Sequence, residues 1–149
     1  MITRNKTYSS SYVKISRVQK IHLSTSSRCE FVNITAEVKK LVTESGVKRG
    51  LCLFHAPHTT AAISIQEGYD PDVVRDICYA LDKSVPHDDD YRHEEGNSAA
   101  HIKALMTGAN ETLPIEYSTL QLGRWQAIFF CEYDGPRERT VWIQIIKDE

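Results

Sequence analysis

The order of strand-like and helix-like segments is the feature that most constrains the fold of this chain. Segments with strand patterns come first, helical patterns occupy the middle, and a run of strands closes the sequence. A doubly wound parallel sheet would instead require strands and helices in regular alternation. The order therefore predicts an α+β fold with a largely antiparallel sheet.

The predicted strands are marked by alternating or continuous apolar residues. Pro57 cannot donate a hydrogen bond to a sheet, so the apolar runs on either side of it are expected to form separate buried strands. Asp134-Gly135-Pro136 marks a turn between two later apolar runs. The predicted strands cover residues 11–16, 19–23, 50–55, 59–65, 112–116, 119–122, 125–133 and 139–147.

Three helices are predicted from capping residues and helical apolar spacing. Asp70 followed by Pro71 gives the strongest start signal, because Asp caps a helix well and Pro suits its first turn. This helix is expected to end near Ser84, before the next proline. The other two run from an Asn33 cap to Gly46 and from an Asn97 cap through Met106 to Gly108.

Length and composition indicate one globular domain and exclude several classes of partner. The 149 residues fit a single domain over 1–149, with the polar residues 1–9 as a loose N-terminal end. Lys and Arg number 18 against 20 Asp and Glu, and the net charge of −2 argues against a nucleic-acid partner. No apolar run approaches the ~18 residues of a membrane span, so no membrane partner is expected.

The sequence also predicts a cytoplasmic location. Its first residues lack the apolar stretch of a signal peptide. Cys29, Cys52, Cys78 and Cys131 are far apart and form no C-x-x-C pair. We therefore interpret each of them as a small buried hydrophobe rather than half of a disulfide.

Three histidines stand out as candidates for one shared site. His58 lies at the break between two apolar strands, His93 in a polar loop, and His101 on the third predicted helix. Three converging imidazoles would suit a divalent metal such as Zn²⁺ with an open fourth position. Their spacing matches no zinc signature. The alternative is that one or two of these histidines are solvated or hydrogen-bonded to the backbone.

Hydroxyl and acidic side chains surround this region. Thr59 and Thr60 follow His58 directly and could bond a substrate, fix the imidazole, or simply favour a strand. Glu67 ends a strand of small and apolar residues, a position that often faces a cleft. Asp70 is better explained as a helix cap. Glu67 is therefore the candidate for binding a metal or accepting a proton.

Basic groups in the second half of the chain are suited to binding an anion such as phosphate. Arginine binds phosphate through paired hydrogen bonds, lysine binds it as a point charge, and a helix start such as Asn97 adds backbone N–H donors. Each basic group could equally be a surface charge, and the chain has no P-loop and no G-x-G-x-x-G motif. The candidate basic residues are Lys103, Arg124, Arg137 and Arg139.

Taken in order, several short motifs resemble those of one known family. They are His58-Thr-Thr-Ala61, Glu67, Asp70-Pro-Asp72, Tyr91-Arg-His93, Glu95-Gly-Asn97, His101-Ile-Lys103, Gly108, Leu122-Gly123, Trp125-Gln126, Cys131-Glu132 and Asp134-Gly-Pro-Arg137. The set resembles the YjbQ-like family, often described as secondary thiamine-phosphate synthases. The resemblance implies a small α+β fold with a β-sandwich core, a homotrimer, and a pocket near a subunit boundary.

The resemblance also implies a reaction and roles for the candidate residues. A pyrimidine methyl diphosphate would be coupled to a thiazole phosphate with release of pyrophosphate. Lys103, Arg124 and Arg137 would stabilise the leaving group, together with a divalent metal (Zn²⁺ or Mg²⁺). Glu67 would stabilise a carbocation on the pyrimidine. The metal or phosphate would be bound by His58, His93 and His101.

The chain departs from the family pattern near Glu67, and other functions stay open. Gln66 and Gly68 replace two asparagines, Tyr69 replaces a small residue, Arg124 stands where Thr is common, and Ala127 where Gly is common. These changes bear on the polar substrate contacts and the width of the pocket. One alternative is a metal-dependent hydrolase of another substrate. The other is a non-catalytic trimeric ligand-binding protein.

Overall fold

The structure, a computed structural model, describes residues 13–148, so the predicted loose end at 1–9 lies outside the described residues. The described chain contains three helices: α1 (Thr35–Ser45), α2 (Pro71–Ser84) and α3 (Ser98–Thr107). Its strands are β1 (Lys14–Ile15), β2 (Gln19–Ser24), β3 (Glu30–Asn33), β4 (Arg49–His55), β5 (Ala61–Glu67), β6 (Asn110–Glu116), β7 (Thr119–Leu120), β8 (Gln126–Glu132) and β9 (Glu138–Lys147). None of these helices is long and apolar enough to cross a bilayer.

The strands form two antiparallel sheets. The larger sheet has the order β1-β9-β4-β6-β7, and β2 also pairs with β9. The smaller sheet has the order β3-β8-β5. Every strand pair within residues 13–148 is antiparallel. The predicted α+β fold with a largely antiparallel sandwich and three helices is therefore confirmed.

Strand β8 shows how the two-residue period of a strand builds this architecture. Ile128 and Phe130 belong to the core that includes the inward side chains of the larger sheet and of α1. The intervening residues, Phe129 and Cys131, belong to a second cluster. Because successive side chains point to opposite faces of a strand, β8 is buried on both sides. Its nearly continuous apolar sequence follows from that position.

The second cluster places α2 and α3 on the outer side of the smaller sheet. Ala100 and Ala104 of α3 pack with β8, and Val74 and Leu81 of α2 lie at the edge of the same cluster. The molecule thus has a layer of α2 and α3, then the smaller sheet, then the larger sheet. The outer face of the larger sheet carries partly exposed side chains, including Trp142.

Two of the three predicted helix caps differ from the structure, and strand β3 was not predicted. Asn33 ends β3, and its Oδ1 accepts a hydrogen bond from the N–H of Thr35 at 3.0 Å, while Ile34 occupies the cap position of α1. Asn97 occupies the cap position of α3, but its side chain makes no cap hydrogen bond there. Asp70 caps α2 as predicted, accepting from the N–H of Asp72 at 2.9 Å.

Candidate functional site

A polar cleft of about 350 Å³ opens where three separate segments meet. The segments are the β4–β5 connection, the start of α3 and the β8–β9 connection. We call it the histidine cleft. Its lining residues are Pro57, His58, Thr59, Thr60, Glu95, Asn97, His101, Asp134, Arg137 and Arg139. Of the predicted site residues, the cleft therefore brings together His58, Thr59, Thr60, Asn97, His101 and Arg137.

A buried ion pair forms the base of the histidine cleft. Arg139 donates from Nε to Oε2 of Glu132 at 2.7 Å and from Nη2 to Oε1 at 2.6 Å. The Glu132 side chain is 0% exposed and that of Arg139 is 7% exposed. Arg139 also donates from Nη2 to Oγ1 of Thr60 at 2.8 Å. Two parallel hydrogen bonds give this pair a defined orientation, so the guanidinium is fixed toward the cleft.

Glu132 stays ionised because its neighbours outweigh the cost of burial. Burial by itself opposes ionisation, but the Arg139 hydrogen bonds and the Asp134 N–H lower the pKa of Glu132 below its usual value. The Asp134 N–H donates to Oε1 at 2.9 Å, and the Thr25 hydroxyl donates to Oε2 at 3.0 Å. A buried charge with several donors of this kind is well compensated.

His58 is held by the backbone of the last strand. Its Nε2 lies 3.0 Å from the carbonyl oxygen and 3.1 Å from the amide nitrogen of Thr140. The ring of Phe130 lies against it at 6.1 Å between centroids, at right angles. Burial lowers the pKa of His58, and the Arg139 charge lowers it further, against the opposing effect of the Thr140 contact. A lowered pKa favours the neutral imidazole near neutral pH.

Asp134 links the start of α3 to the β8–β9 connection. Its Oδ2 accepts from Nδ2 of Asn97 at 2.9 Å and from Nη2 of Arg137 at 2.9 Å. Arg137 also donates from Nε to the Asp134 carbonyl oxygen at 2.8 Å. The Oδ1 of Asn97 is buried and has no hydrogen-bond partner within the described chain. The predicted helix cap is thus replaced by a contact that joins two walls of the cleft.

His93 adjoins the cleft without lining it. Its ring packs edge-on against that of His101, with centroids 5.3 Å apart, and its Nε2 lies 3.9 Å from Oε2 of Glu95. Within residues 13–148, no three His, Cys, Asp or Glu side chains converge as a group that could hold a metal ion. The Nε2 of His58, moreover, already faces Thr140. As arranged in this chain, the three histidines do not form the predicted three-ligand centre.

Glu67 and Arg124, two predicted site residues, lie at a different place. A second cleft, of about 540 Å³, is lined by Glu67, Tyr69, Asp70, Pro71 and Trp125. We call it the aromatic cleft. Trp125 packs against Tyr69 at 5.1 Å between centroids, and the guanidinium of Arg124 lies 4.7 Å from the Trp125 ring centroid. Neither Glu67 nor Arg124 lines the histidine cleft.

Lys103, the remaining predicted basic residue, faces away from the histidine cleft. Although it is two residues beyond His101, its buried Nζ forms an ion pair with Asp82 of α2, whose side chain is largely exposed. It lines a separate cavity beside Cys29 and Tyr133. Its contact explains why a lysine is tolerated inside the helical layer, since a buried ammonium requires a charged partner.

Three charged residues at or directly beneath the cleft, Glu132, Asp134 and Arg139, were given no role in the site by the sequence analysis. Glu132 was noted only within a motif, and Arg139 only as one of several basic residues. The available signal was a glutamate directly after the apolar run that ends at Cys131, followed seven residues later by an arginine. A charge at the end of a buried strand requires a partner, and the nearest arginines in sequence were the candidates. Asp134 belongs to the predicted turn at residues 134–136, which forms part of the cleft wall.

Comparison with known proteins agrees with the predicted resemblance. A family model described as UPF0047 protein YjbQ-like matches residues 19–148. The UPF0047 protein YugU of Bacillus subtilis is 42% identical over 127 residues, covering 85% of this chain and 96% of that protein. A crystal structure of an uncharacterized conserved protein from Clostridium acetobutylicum is 50% identical, with 85% of this chain and 98% of that chain covered and a TM-score of 0.84. A YbjQ-like protein of unknown function from Sulfolobus solfataricus is 32% identical, with 91% and 99% covered and a TM-score of 0.86. The chain belongs to the UPF0047 family of YjbQ-like proteins.

Proposed function

We propose that the histidine cleft binds a phosphorylated small molecule and that the protein is a transferase of the thiamine-phosphate synthase type. One observation carries the proposal: two guanidinium groups, those of Arg137 and Arg139, line one cleft with His58 and His101. Each guanidinium is oriented by a carboxylate, Asp134 or Glu132. Oriented guanidinium donors are well suited to the oxygens of a diphosphate.

The reaction makes a defined demand on such a site. The bond between the pyrimidine methylene carbon and the diphosphate oxygen breaks, and pyrophosphate leaves with the bonding electron pair. A new bond forms between that carbon and the thiazole nitrogen. Negative charge grows on the leaving oxygen, and donors that are already in place stabilise it without reorganisation. Arg137 and Arg139 would supply those donors, and His101 a proton for the departing oxygen.

The proposed role of Glu67 requires a second subunit. Glu67 and Ala61 are the two ends of β5, and six residue steps of a strand span ~20 Å. Ala61 follows Thr60, which lines the histidine cleft, so Glu67 of the same chain lies far from that cleft. In the proposed homotrimer, Glu67 of one chain would approach the histidine cleft of its neighbour. Light scattering tests this: a monomer mass would contradict it.

A coupled assay with the two thiamine precursors tests the activity. We expect His101→Ala and Arg137→Ala to lower product formation by ~10²-fold or more, because each removes a group facing the leaving phosphate. His87→Ala and Arg75→Ala are matched controls, since neither residue lines the cleft. Product formation by the wild-type protein no greater than that of a His93→Ala/His101→Ala double variant would reject the synthase activity.

Pyrophosphate binding, measured by calorimetry, tests the ligand class separately. Binding that is lost in Arg137→Ala and kept in Arg75→Ala would support the phosphate site even without turnover, as in a ligand-binding protein. Equal binding by both variants would contradict it.

A divalent cation, Zn²⁺ or Mg²⁺, stays a prediction. The residues of one chain, as described, offer no three-ligand centre, so none of the steps above is assigned to a metal. Metal analysis of protein purified without an affinity tag, before and after chelation, tests for it. Stoichiometric metal whose removal abolishes activity would support it.

A further inference from the structure

Two of the four cysteines are in direct contact. Cys29 lies just before β3 and Cys78 lies in α2, and their Sγ atoms are 3.2 Å apart. Both thiols are free and partly buried, whereas Cys52 and Cys131 are fully buried in strands. The sequence interpretation of four isolated buried hydrophobes therefore does not fit this pair.

The two thiols differ in their electrostatic surroundings. The hydrogen bond donated by Cys29 lowers the pKa of Cys78, and the Lys103 ammonium acts in the same direction against burial and the Asp82 charge. The same hydrogen bond, together with burial, raises the pKa of Cys29. The thiolate is the reactive form of cysteine. Cys78 is therefore the better nucleophile, and Cys29 holds a proton close to it.

Both cysteines of the pair are only partly buried, and Cys29 also faces a cavity that could admit a small molecule. Cys29 lines a cavity of about 490 Å³ together with Arg28, His87 and Lys103. This cavity is separate from the histidine cleft and the aromatic cleft, and shares no lining residue with either. The cavity also contains Asp82, which pairs with Lys103, so the guanidinium of Arg28 is the group suited to an anionic thiol compound such as a glutathione-type peptide.

We propose that Cys29 and Cys78 are a redox-active dithiol that closes reversibly to a disulfide by exchange with a low-molecular-weight disulfide. The site is independent of the proposed transferase function. Closing it joins α2 to the segment before β3, two parts of the chain 49 residues apart in sequence. A disulfide has an S–S bond of ~2.05 Å, so the two sulfur atoms need to approach by roughly 1 Å.

The exchange balances in two steps. The Cys78 thiolate attacks one sulfur of the disulfide, forming a mixed disulfide and expelling one small-molecule thiolate, which takes up a proton. Cys29 then loses its proton and attacks Sγ of Cys78, expelling the second small-molecule thiol. The two cysteines are oxidised by two electrons, and the reagent is reduced to two thiols. A dithiol reductant reverses both steps.

Oxidation with glutathione disulfide, followed by alkylation and mass spectrometry, tests the proposal. In the wild-type protein we expect two of the four thiols to be lost and one peptide to link Cys29 with Cys78. In Cys29→Ser we expect a stable glutathione adduct on Cys78, because no second thiol resolves it. In Cys78→Ser we expect adduct formation on Cys29 to be at least tenfold slower.

Cys52→Ala is the matched control and should keep the Cys29–Cys78 linkage. The oxidation and the alkylation are carried out without dithiothreitol, which would reduce any disulfide. Alkylation of all four thiols of the wild-type protein after oxidation would overturn the proposal, because it would mean that no disulfide had formed. So would a linkage between any other two cysteines, or equal adduct formation on Cys29 and Cys78 in the two serine variants.

Discussion

The two clefts of the smaller sheet are built in opposite ways. In the histidine cleft, Glu132 and Arg139 are buried and their charged atoms are hydrogen-bonded on several sides. In the aromatic cleft, Tyr69 is 77% exposed and Trp125 is 48% exposed. They are joined by ring contact, not by a hydrogen-bond network. One cleft is built on a buried, hydrogen-bonded ion pair, and the other on partly exposed aromatic rings.

This contrast matches the different demands that the proposed function would place on the two clefts. A site that stabilises developing charge needs donors fixed before the reaction, which burial and mutual hydrogen bonds provide. A surface that contacts an aromatic ring or a second chain does not need fixed side chains, because exposed side chains can change their conformation on contact. Four of the five departures from the family pattern, Gly68, Tyr69, Arg124 and Ala127, lie beside the aromatic cleft. None of the five lines the histidine cleft.

The largest expected effect comes from breaking the buried ion pair. Glu132→Ala leaves the guanidinium of Arg139 buried without its partner, and we expect it to lower the free energy of unfolding by ~3–5 kcal/mol. Urea unfolding measures the change. Glu37→Ala, an exposed glutamate in the first turn of α1, is the control and should change stability by ~0.5 kcal/mol or less. A loss below ~1 kcal/mol in Glu132→Ala would show that the cleft does not depend on this pair.

A smaller effect is expected from a steric change at the edge of the aromatic cleft. A Cβ added at Gly68 would overlap the Cβ of Ala127. Gly68→Ala should therefore lower the unfolding free energy by ~1–3 kcal/mol, as overpacking does. The Gly68→Ala/Ala127→Gly double variant should recover most of that loss. Full additivity in this double-mutant cycle would contradict the steric coupling.

The pH dependence of stability tests the surroundings of His58. Its pKa is lowered in the folded protein, chiefly by burial. Below the ordinary histidine pKa of ~6.5, the unfolded chain binds a proton that the folded chain still excludes. The stabilising contribution is therefore complete above that pH and is lost as the pH falls through the folded pKa. Urea unfolding between about pH 7.5 and 5 should show a steeper acid loss in the wild-type protein than in His58→Gln; parallel curves would contradict this.

The smallest effect is expected at the exposed ring of the aromatic cleft. Tyr69→Ala removes one ring contact with Trp125 and little buried area. We therefore expect the free energy of unfolding to fall by at most ~1 kcal/mol. Thermal unfolding measures it, with Tyr79→Ala, an exposed tyrosine of α2, as the control. A loss as large as that of Glu132→Ala would erase the contrast between the two clefts.

Local signals in the sequence predicted most helix boundaries. Asp70 and Pro71 place the start of α2, and Gly46, with a φ of 66°, ends α1 in the left-handed conformation. The four-residue strand β3 was missed because Ser26 and Ser27 precede it and its own pattern is too short to show a period.

Long-range partners explain what the sequence could not show about the site. The motifs around His58, His101 and Arg137 come together because the β4–β5 and β8–β9 connections lie at the same end of the sandwich as the start of α3. Lys103 and Asn97, however, pair with residues 21 and 37 positions away. Neither pairing has a local sequence signal.

Strand β9 has a consequence for how the chain is made. It pairs with β1 and β2 on one side and with β4 on the other, yet it follows all of them in the sequence. During synthesis, these three strands therefore leave the ribosome well before residues 138–147 do. Until then their edges have unpaired backbone groups, which invite aggregation. The nascent chain is consequently more prone to edge-to-edge association than the completed fold, in which β9 covers these edges.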